Sequence, residues 1–293
     1  MLVGSTASGK SALALEVARR LGDVELVSAD SMQVYRGMDV GTAKATPAER
    51  AEVPHHLLDV ADPSEDYSVA RFQADVAEVV AGIEARGRRA LVVGGTGLYV
   101  KAVVDGLVLP GEWPELRAEL EARPATELHR RLVDVDPLAA SRIEPGNARR
   151  LVRALEVTLG SGRPFSSFGP GVDDWPPTRF RQAGVWLPRP VLAERIEARH
   201  RAQLAGGFLD EVRRLQFAMS RTARQALGYR ELLDHLAGRC TLAEAVEVAI
   251  GRTKQFARRQ RSWFRRDPRI TWLGAPRNPV DLLPALLGDW SLP

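Results

Sequence analysis

Gly4-Ser5-Thr6-Ala7-Ser8-Gly9-Lys10-Ser11, near the start of this 293-residue chain, decides the fold. The octapeptide fits G-x-x-x-x-G-K-[ST], in which glycines let the backbone wrap an anion with successive N–H groups pointing inward. Lys10 adds a positive charge, and the Ser11 hydroxyl can ligate Mg²⁺. A helix over 12–21 follows at once, so its positive dipole end faces the same anion. These eight residues, the phosphate-binding loop, therefore predict a site for a diphosphate or polyphosphate, and they do not single out ATP.

Strands and helices alternate after this loop. A strand over 24–29 ends at Asp30, a helix spans 67–86, and a buried strand over 89–93 ends at Gly94-Gly95. This alternation predicts an α/β fold, a P-loop NTPase-like parallel sheet flanked by helices with right-handed crossovers. Because ligands of such sheets lie at the carboxyl ends of the strands, we expect Asp30 and Thr96 to converge on the phosphate-binding loop.

The rest of the chain divides at stretches rich in Pro and Gly. We predict the first part of the core over 1–111, a helical insertion over 112–175 and the second part of the core over 176–293. The Gly169-Pro170-Gly171 stretch belongs to the end of the insertion, and one long helix is expected over 191–217. Only three residues precede the phosphate-binding loop, so we expect either an unusually short first strand or a sequence that begins inside that strand.

Charge is unevenly distributed between the two ends. Residues 1–110 carry 11 Lys/Arg against 15 Asp/Glu, a formal −4, and residues 111–293 carry 30 against 22, a formal +8. The segment 252–269 alone holds eight Lys/Arg and one acid, with Lys254, Arg258, Arg261 and Arg265 on one helical face. A basic half favours a polyanionic partner, nucleic acid first, although a solvated cationic helix face is the alternative.

The composition also narrows the class of protein. The chain is 45% hydrophobic and 27% charged, contains one cysteine, Cys240, and has no run of 18 apolar residues and no basic-then-apolar leader. We therefore expect a globular protein of the cytoplasm with no disulfide and no membrane partner. No Cys/His spacing suggests zinc, and the adjacent His55 and His56 are interpreted as local structure.

Taken alone, the phosphate-binding loop fits a kinase, an ATPase or a transferase with a diphosphate substrate. The NTPase site usually adds an apolar strand ending in Asp, but the strand over 89–93 ends in Gly94. Asp30, at the end of the preceding strand, could serve instead. The alternative for Asp30 is a helix N-cap over the three residues that follow it.

Further motifs, in a fixed order up to about residue 265, resemble those of the tRNA dimethylallyltransferase family. They are Thr6 to Ser11, Ser28 to Lys44, Pro54 to Asp59, Val93 to Tyr99, Arg149 to Val157 and Gln225 to Arg230. The resemblance implies transfer of a dimethylallyl group from dimethylallyl diphosphate to N6 of adenosine 37, beside the tRNA anticodon. It also implies release of pyrophosphate and assistance by Mg²⁺. We expect the protein to be a monomer.

The resemblance assigns roles to residues of this chain. Lys10, with the rest of the loop and Mg²⁺ at Ser11, would neutralise the leaving diphosphate. Asp30 matches the family's hydrogen-bond acceptor or general base for the incoming nitrogen, and Thr96 matches a residue that contacts the RNA. Arg195 and Arg199 are candidates for holding the diphosphate, with an exposed pair of helical arginines as the alternative.

The resemblance also implies a set of tRNA contacts, with the insertion clamping the anticodon arm and the adenine flipped out of its stack. The matching residues are Asp30, Ser31, Met32, Gln33, Thr96, Arg117, Arg149, Arg150, Leu151, Val152, Arg153, Gln225, Ala226, Leu227, Gly228, Tyr229 and Arg230. Two other classes stay open at this point. An ATP-dependent small-molecule or nucleoside kinase would explain the loop and Asp30, and a non-enzymatic RNA-binding protein would explain only the basic half.

Overall fold

The structure, a computed structural model, describes residues 1–169 and 171–290. Pro170, in the predicted Gly169-Pro170-Gly171 stretch, and residues 291–293 of the predicted third segment lie outside that range. The chain forms two compact units, Met1–Asp105 with Pro177–Pro293, and Gly106–Pro176. Among the described residues, no helix combines the length and the apolar character that crossing a membrane requires.

A parallel sheet forms the centre of the first unit. Within the described residues it has six strands in the order β3-β2-β4-β1-β5-β6, and every neighbouring pair is parallel. The strands are β1 (Leu2–Gly4), β2 (Val24–Ala29), β3 (His55–His56), β4 (Arg89–Gly94), β5 (Gln182–Trp186) and β6 (Ile270–Gly274). The predicted α/β fold with a parallel sheet flanked by helices is therefore confirmed.

The helices of the first unit flank this sheet, and those of the second unit form a separate bundle. The first unit contains α1 (Lys10–Leu21), α2 (Pro47–Glu52), α3 (Val69–Ala85), α4 (Gly97–Asp105), α9 (Arg189–Ala205), α10 (Phe208–Leu215), α11 (Tyr229–Leu236), α12 (Leu242–Phe264) and α13 (Leu283–Asp289). The second contains α5 (Pro114–Glu121), α6 (Ala125–Val135), α7 (Pro137–Arg142) and α8 (Ala148–Ser161). Short 3₁₀ turns lie at Phe165–Ser167, Ala223–Gln225 and Pro279–Leu282.

Successive residues of the central strands point to opposite sides of the sheet. Val3 and Val27 pack into a core with α3, α4 and α12, whereas Leu2 and Leu26 pack into a second core with α1 and α13. All four side chains are at most 5% exposed. Burial on both faces explains why apolar residues occupy consecutive positions, Leu2-Val3 in β1 and Leu26-Val27 in β2, as in parallel strands between two helical layers.

The helices of the second unit enclose a core of their own. Leu120 of α5, Leu132 of α6 and the pair Leu151 and Leu155, one helical turn apart on α8, are fully buried there. The helical character predicted for the insertion is observed in α5 to α8, and Pro124 and Pro137 lie at the starts of α6 and α7.

Three elements differ from the prediction. The helix expected over 191–217 is two helices, α9 and α10, because Gly207 adopts a left-handed φ of 91° between them. Strands β3 and β6 were not predicted. β3 has two residues, too few for a periodicity, and its His56 accepts or donates a 2.7 Å hydrogen bond with Glu25 Oε2. The first strand, β1, has three residues.

Candidate active site

The phosphate-binding loop joins β1 to α1, which begins at Lys10. Ala7 and Gly9 both adopt left-handed φ angles, 61° and 81°, and the amide of Ser8 donates to the carbonyl of Ser5 at 3.2 Å. A left-handed conformation is costly for an alanine, so the surrounding structure holds this backbone in place. The predicted strand–loop–helix geometry of an anion site at a helix N-terminus is therefore present.

Lys10 lies with its ammonium group inside the site. Its Nζ is 3.4 Å from the carbonyl oxygen of Ser5, and a Cβ built on Gly95 would lie 3.4 Å from that Nζ. Burial lowers the pKa of Lys10 to about 8; the nearby charge of Asp30 opposes this shift, and that of Arg199 adds to it. The lysine, the strand-end carboxylate and the α9 arginine thus share one electrostatic environment.

Arg195 and Arg199 of α9 both bond the phosphate-binding loop. Nε of Arg195 donates to the carbonyl of Ala7 at 2.9 Å, and Nη1 of Arg199 donates to Oγ1 of Thr6 at 2.8 Å. Burial lowers the pKa of Arg199 below its usual value. The two arginines therefore line the site beside the phosphate-binding loop. They are not the exposed helical pair that was the alternative.

Two buried polar atoms beside the loop have no hydrogen-bond partner. They are Nε of Arg199 and Oγ of Ser8. An unsatisfied donor in a buried site costs free energy, and an anionic ligand that accepts from it would recover that cost. Ser8 Oγ also explains why position 4 is a glycine, since a Cβ on Gly4 would lie 2.8 Å from this oxygen.

Asp30 directly follows β2, at the carboxyl end of the strand. Its Oδ1 accepts from the amide of Met32 at 2.9 Å, so the carboxylate closes a turn instead of capping a helix. Thr96, two residues after the end of β4, contacts this turn, because the amide of Ser31 donates to Thr96 Oγ1 at 3.3 Å. The loops after β1, β2 and β4 therefore converge, as predicted for the carboxyl ends of parallel strands.

Gln33 connects the turn after β2 to a loop further along the chain. Its Nε2 donates to the carbonyls of Thr42 and Ala43, and its Oε1 accepts from Ser28 Oγ at 2.9 Å. That loop is fixed by a residue that sequence reasoning missed, Glu211. The carboxylate of Glu211 is 2% exposed and accepts from the three consecutive backbone amides of residues 39–41.

The predicted tRNA-contact stretch over 225–230 is divided between surface and interior. Gln225 and Arg230 are exposed, and Leu227 is half-buried. Ala226 and Gly228 are buried, and Tyr229 is fully buried, with its hydroxyl donating to Glu211 Oε1 at 2.5 Å. The side chain of Tyr229 thus supports the fold, and within this stretch only Gln225 and Arg230 have exposed side chains.

In the second unit the basic stretch on α8 is divided in a similar way. Arg149 and Arg150 are exposed, whereas Leu151 and Val152 pack in the core, so their side chains offer no surface to RNA. Arg117 and Arg153 are both paired with the carboxylate of Glu156, at 3.1 Å and 3.0 Å. The side chain of Glu156 is fully buried, and its two arginines are about one-third exposed, which leaves part of each guanidinium facing solvent.

The four cations expected on one face of α12 have different environments. Lys254 pairs with Glu197 at 2.6 Å, and Arg261 lies 5.3 Å from the ring centroid of Trp186. Arg258 and Arg265 are exposed. Beside them, an open groove of about 480 Å³ is lined by Gln255, Arg258, Arg259, Ser262, Trp263 and Arg266.

A second residue that sequence reasoning missed is Gln260 of α12. It is 7% exposed and bonds both the phosphate-binding loop and the loop after β4. The sequence did contain a signal for Gln260. It is a polar residue at helical spacing from Thr253, Ala257 and Phe264, which form the buried face of α12.

The described part of the protein offers few side chains that could bind a metal ion at the phosphate-binding loop. Residues 1–169 and 171–290 hold no group of three or more His, Cys, Asp or Glu side chains that could bind a metal ion. Ser11 is exposed in the first turn of α1, directly after Lys10. A metal at this loop would therefore depend on oxygens of the bound anion and of water for most of its ligands.

Comparison with known proteins agrees with this geometry. The model of the IPP transferase family matches residues 33–267. The chain is 50% identical over 295 residues to the tRNA dimethylallyltransferase of Kineococcus radiotolerans, covering 96% of this chain and 92% of that protein.

Solved structures of related enzymes have a similar fold. The tRNA isopentenylpyrophosphate transferase of Bacillus halodurans is 36% identical, with a TM-score of 0.72 over 99% of this chain and 95% of its own. A eukaryotic dimethylallyltransferase, whose crystal structures follow its action on tRNA, is 27% identical, with a TM-score of 0.78 over 94% and 73%.

Proposed function

This chain belongs to the IPP transferase family, and from that membership we propose that it transfers a dimethylallyl group from dimethylallyl diphosphate to N6 of adenosine 37 in tRNA. The observation that carries the proposal is the convergence of a diphosphate-type loop, with its lysine, and the carboxylate of Asp30, which directly follows β2. A transferase needs both, because the loop holds the leaving group and the carboxylate accepts the proton of the incoming nucleophile.

The leaving group is held by the loop of residues 4–11. Loop amides, the ammonium of Lys10 and the guanidinium of Arg199 would accept the negative charge that develops on the diphosphate as the bond between allylic carbon C1 and oxygen breaks. Arg195, bonded to Ala7 O, would hold the loop and add positive charge. Fixed charges in a buried site stabilise such a transition state more than they would in water.

The acceptor side is formed by Asp30 and Thr96. As N6 of adenine bonds to C1, the nitrogen loses one proton, which Asp30 would accept, and pyrophosphate departs with the former C–O bonding pair. Thr96 would orient the adenine through its hydroxyl. A base that reaches this site has left its stack, since enzymes that modify a base atom extrude it from the helix or loop.

We propose Mg²⁺ as the metal that accompanies the diphosphate. Mg²⁺ favours hard oxygen ligands and is usually held by one or two protein oxygens, with phosphate and water supplying the others. The hydroxyl of Ser11 fits that donor set, since it lies exposed at the start of α1 beside the anion loop. When bound, the metal would supply further neutralisation of the leaving pyrophosphate.

We propose that tRNA contacts exposed cations of this chain and that the insertion clamps the anticodon arm. The candidate cations are Arg149, Arg150, Arg230, Arg258 and Arg259, with the partly exposed Arg117 and Arg153, and Gln225 adds an exposed neutral amide. Ser31, Met32 and Gln33 are half-buried beside Asp30 and would contact the nucleotides nearest the modified base. Action in the cytoplasm and as a monomer remain predictions.

One incubation tests the proposed reaction against its alternatives. The protein is mixed with labelled dimethylallyl diphosphate, ATP and unmodified tRNA, and label on adenosine 37 is measured by mass spectrometry of the digested tRNA. We expect one pyrophosphate released for each prenyl group transferred. ATP turnover without prenyl transfer would support the kinase alternative, and tRNA binding with neither reaction would support an RNA-binding protein.

The pKa of Lys10 predicts how kcat/KM for dimethylallyl diphosphate depends on pH. Because burial lowers this pKa to about 8 in the free protein, Lys10 loses its charge as pH rises through that value. We expect kcat/KM for dimethylallyl diphosphate to fall above about pH 8, since this ratio reports groups of the free enzyme. In the Lys10→Met variant the decline should be absent; a decline that persists there would assign it to another group.

Salt dependence tests the α12 surface. Neutralising Arg258 and Arg259 together should reduce the slope of log K against log salt for tRNA binding by about one unit per charge. Arg71→Gln, an exposed arginine of α3, is the matched control for a change in net charge. An unaltered slope in the double variant would mean that this face of α12 does not contact phosphates.

A further inference from the structure

Gln260 of α12 bridges two loops of the site with one side chain. Its Oε1 accepts from the backbone amide of Thr6 at 2.7 Å, and its Nε2 donates to the carbonyl of Gly95 at 2.7 Å. Thr6 belongs to the phosphate-binding loop, and Gly95 directly precedes Thr96. Both ends of the amide are therefore used, and the two bonds join the leaving-group side of the site to the acceptor side.

Close packing adds to this connection. A Cβ built on Gly95 would lie 2.5 Å from Gln260 Nε2 and 3.0 Å from the carbonyl of Gly4, so no side chain fits at that position. Two residues later, a Cβ on Gly97 would lie 2.3 Å from the ring of Trp263, which is also on α12. The loop after β4 is thus pressed against α12 along three residues.

Thr6 is held from a second direction as well. Its hydroxyl accepts from Arg199 of α9, while its amide donates to Gln260 of α12. Because the side chain of Gln260 is 7% exposed, water does not readily replace either of its bonds. The position of the phosphate-binding loop relative to Thr96 is therefore fixed by α12 through Gln260.

We propose that Gln260 is a positioning residue for prenyl transfer, which sets the distance between the diphosphate and the adenine without touching either. This inference rests on the proposed function. Transfer requires the allylic carbon and N6 to be aligned at about 3–3.5 Å, and a displacement of about 1 Å can cost roughly 10²-fold in rate. Each substrate is bound by its own loop, so a change in the spacing of the loops affects the reaction more than either binding step.

The test replaces Gln260 with methionine, which keeps the length and volume of the side chain and removes both hydrogen bonds. We expect kcat to fall about 10- to 100-fold, while the Kd for inorganic pyrophosphate and the KM for tRNA stay within about threefold of the wild-type values. Gln73→Met is the matched control, because Gln73 Nε2 also ties two elements together, donating to the carbonyl of Ala102 at 2.8 Å, away from the site.

A second variant, Gln260→Glu, retains the acceptor for the Thr6 amide but places a carboxylate oxygen against the carbonyl of Gly95. We expect it to lose kcat as Gln260→Met does, and it keeps the proposal testable if the methionine variant fails to fold. A kcat within threefold of wild type in a folded variant would overturn the proposal. So would a parallel loss of kcat, pyrophosphate affinity and melting temperature that Gln73→Met reproduces. Absence of transfer by the wild-type protein would instead refute the proposed function.

Discussion

Asp30→Asn should lower kcat for prenyl transfer by about 10²- to 10⁴-fold, the range that removal of a positioned general base produces. Asparagine has nearly the same shape and keeps the oxygen that accepts from the Met32 amide, so the turn after β2 is preserved. What the substitution removes is the capacity to accept a proton from N6. Affinity for inorganic pyrophosphate and melting temperature should change little.

The chain offers a matched control for this substitution. Asp62 Oδ1 accepts from the amide of Ser64 at 3.0 Å, the same two-residue turn at a place that is not part of the site. Asp62→Asn should retain wild-type kcat. A near-native kcat in Asp30→Asn would reduce Asp30 to a turn-closing residue and would leave the reaction without its proposed base.

Lys10→Met should weaken the binding of dimethylallyl diphosphate and lower kcat, with kcat/KM falling by about 10²- to 10³-fold. Methionine has a similar length but cannot neutralise the developing charge on the leaving group. Because burial disfavours the charged form of Lys10, its replacement by an apolar side chain should not lower the melting temperature of the unliganded protein. Calorimetry with pyrophosphate and steady-state kinetics measure the two effects separately.

Lys254→Met serves as the control for the loss of one lysine. Lys254 is engaged by Glu197 on the surface of α9, so the affinity for pyrophosphate should remain at the wild-type value. Unchanged pyrophosphate affinity and unchanged kcat/KM in Lys10→Met would contradict the role given to the loop.

The predictable part of this protein is the part that local rules determine. A phosphate-binding loop needs specific residues at fixed spacing, and the carboxyl ends of parallel strands meet at one edge of a sheet. Those two facts bring Lys10, Asp30 and Thr96 together without any long-range information. The helix break at Gly207 had a local signal too, since Gly206 and Gly207 are adjacent.

The remaining features depend on partners far away in the sequence. Gln260 bonds Thr6 across 254 positions, and Glu211 bonds the amides of residues 39–41 across at least 170. Helical periodicity placed Lys254 and Arg261 on one face with Arg258, but the neighbours that engage them, Glu197 and Trp186, come from other elements. A pattern in one segment cannot report which charges tertiary packing will leave free.

The most direct test of the account is a crystal structure of the protein with tRNA and an unreactive thiolo analogue of dimethylallyl diphosphate. The account predicts the diphosphate on the amides of residues 4–11 with Lys10 and Arg199 against it. It further predicts N6 of adenosine 37 within hydrogen-bond distance of Asp30. A diphosphate bound elsewhere, or an adenine whose N6 faces other residues, would contradict it.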